Sequence, residues 1–321
     1  MKLVYMIWLI LEAFFVTSLE LPHFYHKTEE IQRYISSLSC PALKLKSSDT
    51  IHSYYISAST PHALKVFLLF GEHPRELIST ELGLEFIKEA CNGSLSSVLS
   101  VAEVMIVLNA NPKARKKVEN GDFCIRTNDN GVDINRNWGS HWESINCNTH
   151  PDTCPGNKAF SEAETLAIKK LLEDFDPDLF ISIHSGKKAL FMPYAYKKSS
   201  GNRYHEKMLD VLNQVNTKHC HCAVGPAAEI LDYVCPGNCM DYAYDRTKVP
   251  FSFAFEIYEQ TSAFKSFLQK PYSCFIQTTQ HMSNSECFYF FNPKSEDDYK
   301  YTLDTWMGIL KDTILLVADE I

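Results

Sequence analysis

The side chains best placed to do chemistry begin with His73 and Glu76, in Gly71-Glu72-His73-Pro74-Arg75-Glu76-Leu77. An imidazole and a carboxylate three residues apart on a compact turn can meet on one cation, and zinc accepts both ligand types. The spacing is common in unrelated chains, so companions must supply a third ligand, a base and a means of choosing a substrate. His184, in Ser182-Ile183-His184-Ser185-Gly186, is the candidate third ligand. Two imidazoles and one carboxylate leave a position of a four-coordinate zinc site open, as catalytic rather than structural sites require. Glu256 stands in the apolar run Phe253-Ala254-Phe255-Glu256. Burial there favours the neutral carboxyl and suits it to take up a proton near neutral pH. A metal beside a base makes hydrolysis the natural chemistry. The polar stretch from Arg126 to Trp138 adds Arg126, Asn135 and Arg136. Guanidinium groups match carboxylates in bidentate geometry, so two Arg and an Asn can hold a substrate carboxylate and steady a developing oxyanion.

These groups need elements that bring them together. The apolar, β-rich run Val66 to Phe70, bounded by Gly71, predicts a buried strand, extended back to Leu64, that delivers His73 at its carboxyl end. From Thr80 a helix is expected, with Leu84, Ile87 and Cys91 on one face and Ser79 or Thr80 as cap. Other strands are expected at 51–57, 101–108, 179–183 and 250–257. The third of these ends against His184, and the last carries Glu256 near its end. Helices are expected at 25–38, with Thr28 as cap, from a Ser161-x-x-Glu164 capping box to Phe175, at 204–215 and at 303–317. Residues 113–153 read as a long polar loop, a feature that in a compact domain is usually functional or disordered. Strands alternating with helices predict one α/β domain, a central mixed twisted sheet flanked by helices on both faces. The candidates at strand ends then converge in one crevice.

The chain has 321 residues and a formal charge of -8, and its pI is near 5.8. No Lys/Arg-rich block offers a footprint for phosphates, which argues against nucleic acid as a partner. Lys2, the apolar stretch Leu3 to Val16 and the small residues of Val16-Thr17-Ser18 predict a secretory signal over 1–18, with the domain at 19–321. Glu12 within that stretch disfavours the rival reading of a retained anchor. Secretion or a secretory-pathway lumen is therefore the expected location, with no stable membrane insertion after cleavage and no obligate protein partner. Eleven cysteines, at 40, 91, 124, 147, 154, 220, 222, 235, 239, 274 and 287, make several disulfides plausible and leave an odd thiol. Cys220-x-Cys222 and Cys235-x-x-x-Cys239 do not match structural zinc spacing, so pairing within or across loops is expected. Asn92-Gly93-Ser94 is a glycosylation acceptor motif.

Four motifs in order carry a resemblance: His73-Pro74-Arg75-Glu76, Gly131-Val132-Asp133-Ile134-Asn135-Arg136-Asn137-Trp138, Ser182-Ile183-His184-Ser185 and Phe253-Ala254-Phe255-Glu256. Together the chain resembles the zinc metallocarboxypeptidases related to carboxypeptidases A and B, from about Tyr25 to the closing helix. The resemblance implies one Zn2+ held by His73, Glu76 and His184, with Glu256 as base and proton shuttle. It implies that Arg126 polarises the scissile carbonyl and that Asn135 and Arg136 grip the terminal carboxylate of a peptide or protein. Arg75 matches a residue of the binding cleft, and Tyr233 the tyrosine that closes over substrate, in a segment that Cys235 and Cys239 are expected to brace. Met240 matches the floor of the pocket for the last side chain, with Phe191, Ala195 and Ala254 as walls. No acid falls among them, which implies preference for apolar or aromatic C-terminal residues unless Asp232 or Asp241 reaches in. Relatives in the digestive branch carry a long inhibitory pro-segment, and none is expected here. The alternatives are a zinc amidohydrolase acting on a non-peptide or side-chain-linked amide, and a catalytically silent peptide-binding relative.

Overall fold

The structure, a computed structural model, describes residues 20–48, 50–61, 63–198, 201, 203–260 and 282–321. The expected signal segment and Cys274 lie outside these residues.

Among the described residues eight strands form one mixed sheet: β1 (Leu43–Ser47), β2 (His52–Ile56), β3 (Leu64–Phe70), β4 (Ala102–Val107), β5 (Leu179–His184), β6 (Lys188–Met192), β7 (Ala223–Pro226) and β8 (Phe251–Ile257), in the order β1-β2-β4-β3-β5-β8-β6-β7. The four central strands β4, β3, β5 and β8 are parallel to one another, while β2 and β6 run antiparallel to their inner neighbours. Parallel strands buried on both faces must be apolar nearly throughout, and the β3 sequence Leu-Lys-Val-Phe-Leu-Leu-Phe is. Its side chains alternate between two cores. Val66, Leu68 and Phe70 pack with helices Leu77–Asn92, His205–Val215 and Glu296–Glu320, whereas Phe67 and Leu69 meet Ile168, Leu172 and Phe175 of helix Ala163–Phe175 on the other face. Helices thus cover both faces, as expected.

The same alternation places the site. In β5, Leu179, Ile181 and Ile183 enter the first core, which turns Ser182 and His184 to the opposite face. In β8, Phe251, Phe253 and Phe255 enter that first core and leave Ala254 and Glu256 beside them, because the register pairs Ser182 with Ala254 and His184 with Glu256. After β3 the chain crosses to β4 on one side, and β5 later joins on the other, so the crevice opens beyond the carboxyl ends of β3 and β5.

Several elements differ from expectation. The helix after β3 begins at Leu77 with Glu76 at its N-cap, and neither Ser79 nor Thr80 caps it. Ser79 instead donates to Ile183 O at 2.7 Å and accepts from Gly71 N, joining β3 to β5. Ser161 is not the cap of its helix either. Glu162 holds that position, and Ser161 Oγ donates to the Glu162 carboxylate at 2.6 Å. The first helix is Thr28–Ser37 with Lys27 at the N-cap, while Thr28 N–H and O–H both donate to Glu119. The closing helix runs from Glu296 to Glu320, and the 113–153 loop opens with the last turns of helix Pro112–Val118.

The Phe253 ring, fully buried, packs between Phe251 and Phe255 at centroid distances of 6.4 and 6.0 Å. Phe253→Ala removes that contact from the strand carrying Glu256. It is expected to lower unfolding free energy by about 3–5 kcal/mol, read as a shifted denaturant midpoint with unchanged slope.

Candidate active site

The turn from Gly71 to Glu76 is shaped by backbone geometry. Gly71 has φ +69°, and a Cβ there would lie 2.9 Å from Thr80 Oγ1. A glycine is therefore required for the chain to leave β3 at this angle. Glu76 N–H then donates to His73 O at 3.0 Å, closing a turn that puts both side chains on one side. His73 Nδ1 lies 2.7 Å from Glu76 Oε1, His184 Nδ1 lies 3.1 Å from Glu76 Oε2, and the two Nδ1 atoms are 3.2 Å apart. Candidate donor atoms of all three residues fall within 4.8 Å of one another, and all three residues are buried.

Each imidazole is held from behind. His73 Nε2 lies 3.1 Å from Asp133 Oδ1 and can donate its proton there, and in that tautomer the Nδ1 lone pair, which faces Glu76 Oε1, is available to a cation. His184 Nε2 lies 2.6 Å from Ser182 Oγ and 3.2 Å from Glu72 Oε2. Asp133 also accepts from Arg126 Nε at 2.8 Å, which brings Arg126 Nη1 to 3.4 Å from His73 Nδ1 and 3.8 Å from Glu76 Oε1. Two imidazole nitrogens and a carboxylate, with their outer nitrogens already engaged, form a donor set that fits a divalent ion such as zinc.

Electrostatics follow from this crowding. Burial alone would push the Glu76 carboxyl up, but the His73 and His184 rings outweigh it and hold Glu76 far below the ordinary carboxylate range. Burial likewise opposes ionisation of Asp133, and Arg126 and His73 overcome it. For Glu256 the charges of His184, His73 and Arg126 do not outweigh burial. Burial, reinforced by the charge of Glu76, pushes it up to about 7, and its Oε2 is sealed from solvent without a hydrogen-bond partner.

The ten candidates from the sequence, His73, Arg75, Glu76, Arg126, Asn135, Arg136, His184, Tyr233, Met240 and Glu256, all border one cleft. Asn135 Oδ1 accepts from Cys239 N–H at 3.0 Å, and Arg136 Nη1 donates to Asn135 O at 2.7 Å. Arg75 stacks its guanidinium 4.2 Å from the Phe291 ring centroid and donates to Cys124 O at 3.3 Å. At the far end Phe191, Ala195, Tyr233, Cys235 and Met240 form a separate apolar cluster, with Ala254 packed against it. Ala227 and Leu231 also belong to that wall, although nothing in the sequence pattern marked them. Asp232 is exposed and paired with Lys198, outside the cleft lining. Asp241 is fully buried and turned to backbone, accepting from Ala195 N and Tyr196 N and from Asn238 Nδ2. Neither acid enters the pocket.

Asp241, rather than a cysteine pair, braces this loop. Among the described residues four disulfides join Cys40–Cys91, Cys124–Cys287, Cys147–Cys154 and Cys220–Cys222, and the buried Cys235 and Cys239 belong to none of them. The expected bracing by these two cysteines is therefore corrected. Gly237, between them, has φ +71°, and a Cβ there would lie 2.4 Å from Arg136 O, so the loop packs directly on the backbone of the Asn135-Arg136 pair. Among the described residues no helix is long and apolar enough to cross a membrane.

The profile of the zinc carboxypeptidase family matches residues 39–285, and the chain belongs to that family. Carboxypeptidase O of Homo sapiens is 28% identical over 274 residues, 73% of this chain and 70% of that protein. Zinc carboxypeptidase A 1 of Drosophila melanogaster is 24% identical over 241 residues, 68% of this chain. The chain spans 55% of the length of that relative and 60% of bovine carboxypeptidase O. Among solved structures, bovine thrombin-activatable fibrinolysis inhibitor in complex with tick carboxypeptidase inhibitor superposes with a TM-score of 0.73 at 20% identity, covering 92% of this chain and 98% of that one. Carboxypeptidase A of Helicoverpa armigera gives 0.69 at 20% identity, covering 92% and 74%. These likenesses bear out the α/β fold with its mixed eight-stranded sheet.

Calorimetric titration of chelator-treated protein with zinc is expected to give one equivalent bound. Zinc should also raise the thermal midpoint of the wild type while leaving His73→Ala/His184→Ala unmoved.

Proposed function

We propose that the chain is a zinc-dependent exopeptidase that cleaves the last peptide bond of a polypeptide and releases one amino acid, preferring apolar or aromatic C-terminal side chains. The observation that carries this reading is the convergence of His73 Nδ1, Glu76 and His184 Nδ1 beside the unpartnered Oε2 of Glu256. Family membership supports the reaction class. An ion held by these three side chains supplies a Lewis acid that polarises a carbonyl and acidifies water.

The protein's own groups do the rest. Glu256 takes a proton from the attacking water and returns it to the departing amine, a task suited to a carboxyl whose pKa lies near neutrality. Arg126, oriented by Asp133, presents its remaining donors where negative charge grows on the carbonyl oxygen. Asn135 has its oxygen committed to Cys239 N–H, so its amide NH2 remains the donor, and with Arg136 it binds the free terminal carboxylate. Arg75 borders the approach to the scissile bond, and Tyr233 covers the terminal residue from the loop held by Asp241. Met240, Phe191, Ala195 and Ala254 receive the last side chain, and the displacement of Asp232 and Asp241 from the pocket supports an apolar occupant. Four disulfides fit an oxidising compartment, and with the apolar leader of the sequence they support a secreted or lumenal protein.

N-blocked dipeptides differing in their last residue test the reading. Free Phe and Leu are expected to be released in a chelator-sensitive reaction. Release from Lys or Arg ends alone would refute the pocket assignment, and no release from any would refute the exopeptidase.

Glu256→Gln is expected to keep its metal and lose about 10²- to 10⁴-fold in kcat. Glu256 must be ionised to accept a proton, so wild-type kcat/KM should rise with pH along an acid limb. Its midpoint lies at about 7 or below, since a bound dication favours the carboxylate. An acid limb unchanged in the residual activity of Glu256→Gln would assign it to another group.

A further inference from the structure

One buried carboxylate takes no part in the steps above. Glu72 is 1% exposed, directly precedes His73, and is absent from the cleft lining. Its Oε2 accepts from Ser182 Oγ at 2.7 Å and from Cys239 Sγ at 3.3 Å and lies 3.2 Å from His184 Nε2, while its Oε1 has no hydrogen-bond partner. A carboxylate sealed from water at this position is costly unless it does something for its neighbours.

Counting protons shows what that is. The Ser182 hydroxyl has one proton and gives it to Glu72, so at 2.6 Å its oxygen must accept from His184 Nε2–H. With a cation on the Nδ1 side, this bond keeps the ring proton on Nε2, which also has the Asn135 Nδ2 amide 3.2 Å away, and leaves the Nδ1 lone pair directed between Glu76 and His73 Nδ1. Asp133 can accept from His73 Nε2–H in the same way. Strand alternation makes the contact possible, since Ser182 and His184 leave β5 on the same face.

We propose that Glu72 is a positioning residue for His184, fixing the tautomer and plane of the imidazole directly and through the Ser182 hydroxyl. Without it the hydroxyl can donate to Nε2 instead, moving the ring proton to Nδ1, where it competes with a metal ion. The inference rests on the metal centre of the preceding section.

The test measures zinc affinity of purified wild type and Glu72→Gln by competition with a chromophoric chelator, alongside circular dichroism of both proteins. A folded Glu72→Gln that binds zinc about 10- to 100-fold more weakly supports the assignment. A folded variant within about twofold of wild type overturns the role of Glu72 and leaves the metal centre standing, the change being far below that range. Wild type that binds no stoichiometric zinc overturns the metal centre and this inference with it. Where Glu72→Gln does not fold, the long-range 1H–15N spectrum of zinc-loaded wild type decides. A His184 ring proton on Nε2, with a resonance that shifts in Ser182→Ala, supports the proposal, and a proton on Nδ1 or an unshifted resonance overturns it.

Discussion

Everything in this molecule depends on gathering charged groups in a place that excludes water. Glu72, Glu76, Asp133, Arg126, His73 and His184 are all buried and joined by successive close polar contacts. Removing a carboxylate from water costs several kcal/mol even after relaxation, so each must be matched locally. Arg126 neutralises Asp133. Two carboxylates, Glu72 and Glu76, then remain opposite two imidazoles. Their charge is balanced either by protons on both rings or by one dication with both rings neutral. The site is therefore built around a charge of two, and a divalent ion satisfies it while leaving each ring its outer N–H for Asp133 and for the Ser182–Glu72 pair.

The sheet supplies the rigidity that such crowding needs. β3, β5 and β8 are central and buried, and their apolar faces alternate with site-facing residues, so that a displacement of His184 or Glu256 would also displace Ile183 or Phe255 from the core. Ser79, donating to Ile183 O and accepting from Gly71 N, locks the end of β5 to the turn that carries His73.

That framework was legible because its signals are strong and local. The continuous apolar run of β3 and the Phe-x-Phe-x-Phe alternation of β8 admit few other readings, and they fix which residues face which way. The edge strands were not legible. β7 has four residues with a Gly and a Pro, β6 follows a tight turn with only five, and β1 alternates Leu with Lys at the sheet margin, where charge guards an open edge. Helix starts were misplaced for a related reason. Ser79 and Ser161 are good capping residues by type, but other partners took them: Ile183 O in one case, Asn137 Nδ2 and the adjacent Glu162 carboxylate in the other. The roles of Glu72 and Asp133 were likewise hidden, although each stands inside a motif, because a carboxylate behind an imidazole shows itself only when strands far apart in sequence are brought side by side.

The two ends of the cleft are built on different principles, and this separates chemistry from selectivity. Proton handling and cation binding rest on strand ends and the turn after β3, where backbone position is set by the sheet. The apolar end rests largely on the loop 233–239 and its surroundings, held by Asp241 to Ala195 and Tyr196 and by Gly237 against the backbone of Arg136. Burial pushes Asp241 up to about 6 even though it accepts several N–H bonds, so the loop is anchored by a group that burial itself opposes. An anchor of that kind is retained only where geometry matters more than its cost. Here it keeps an acid out of the pocket while placing Met240 and Tyr233 beside it. Side chains at 195 and 231, outside the strands, can then change size without moving His73, Glu76, His184 or Glu256, whose positions are set by the sheet beneath them.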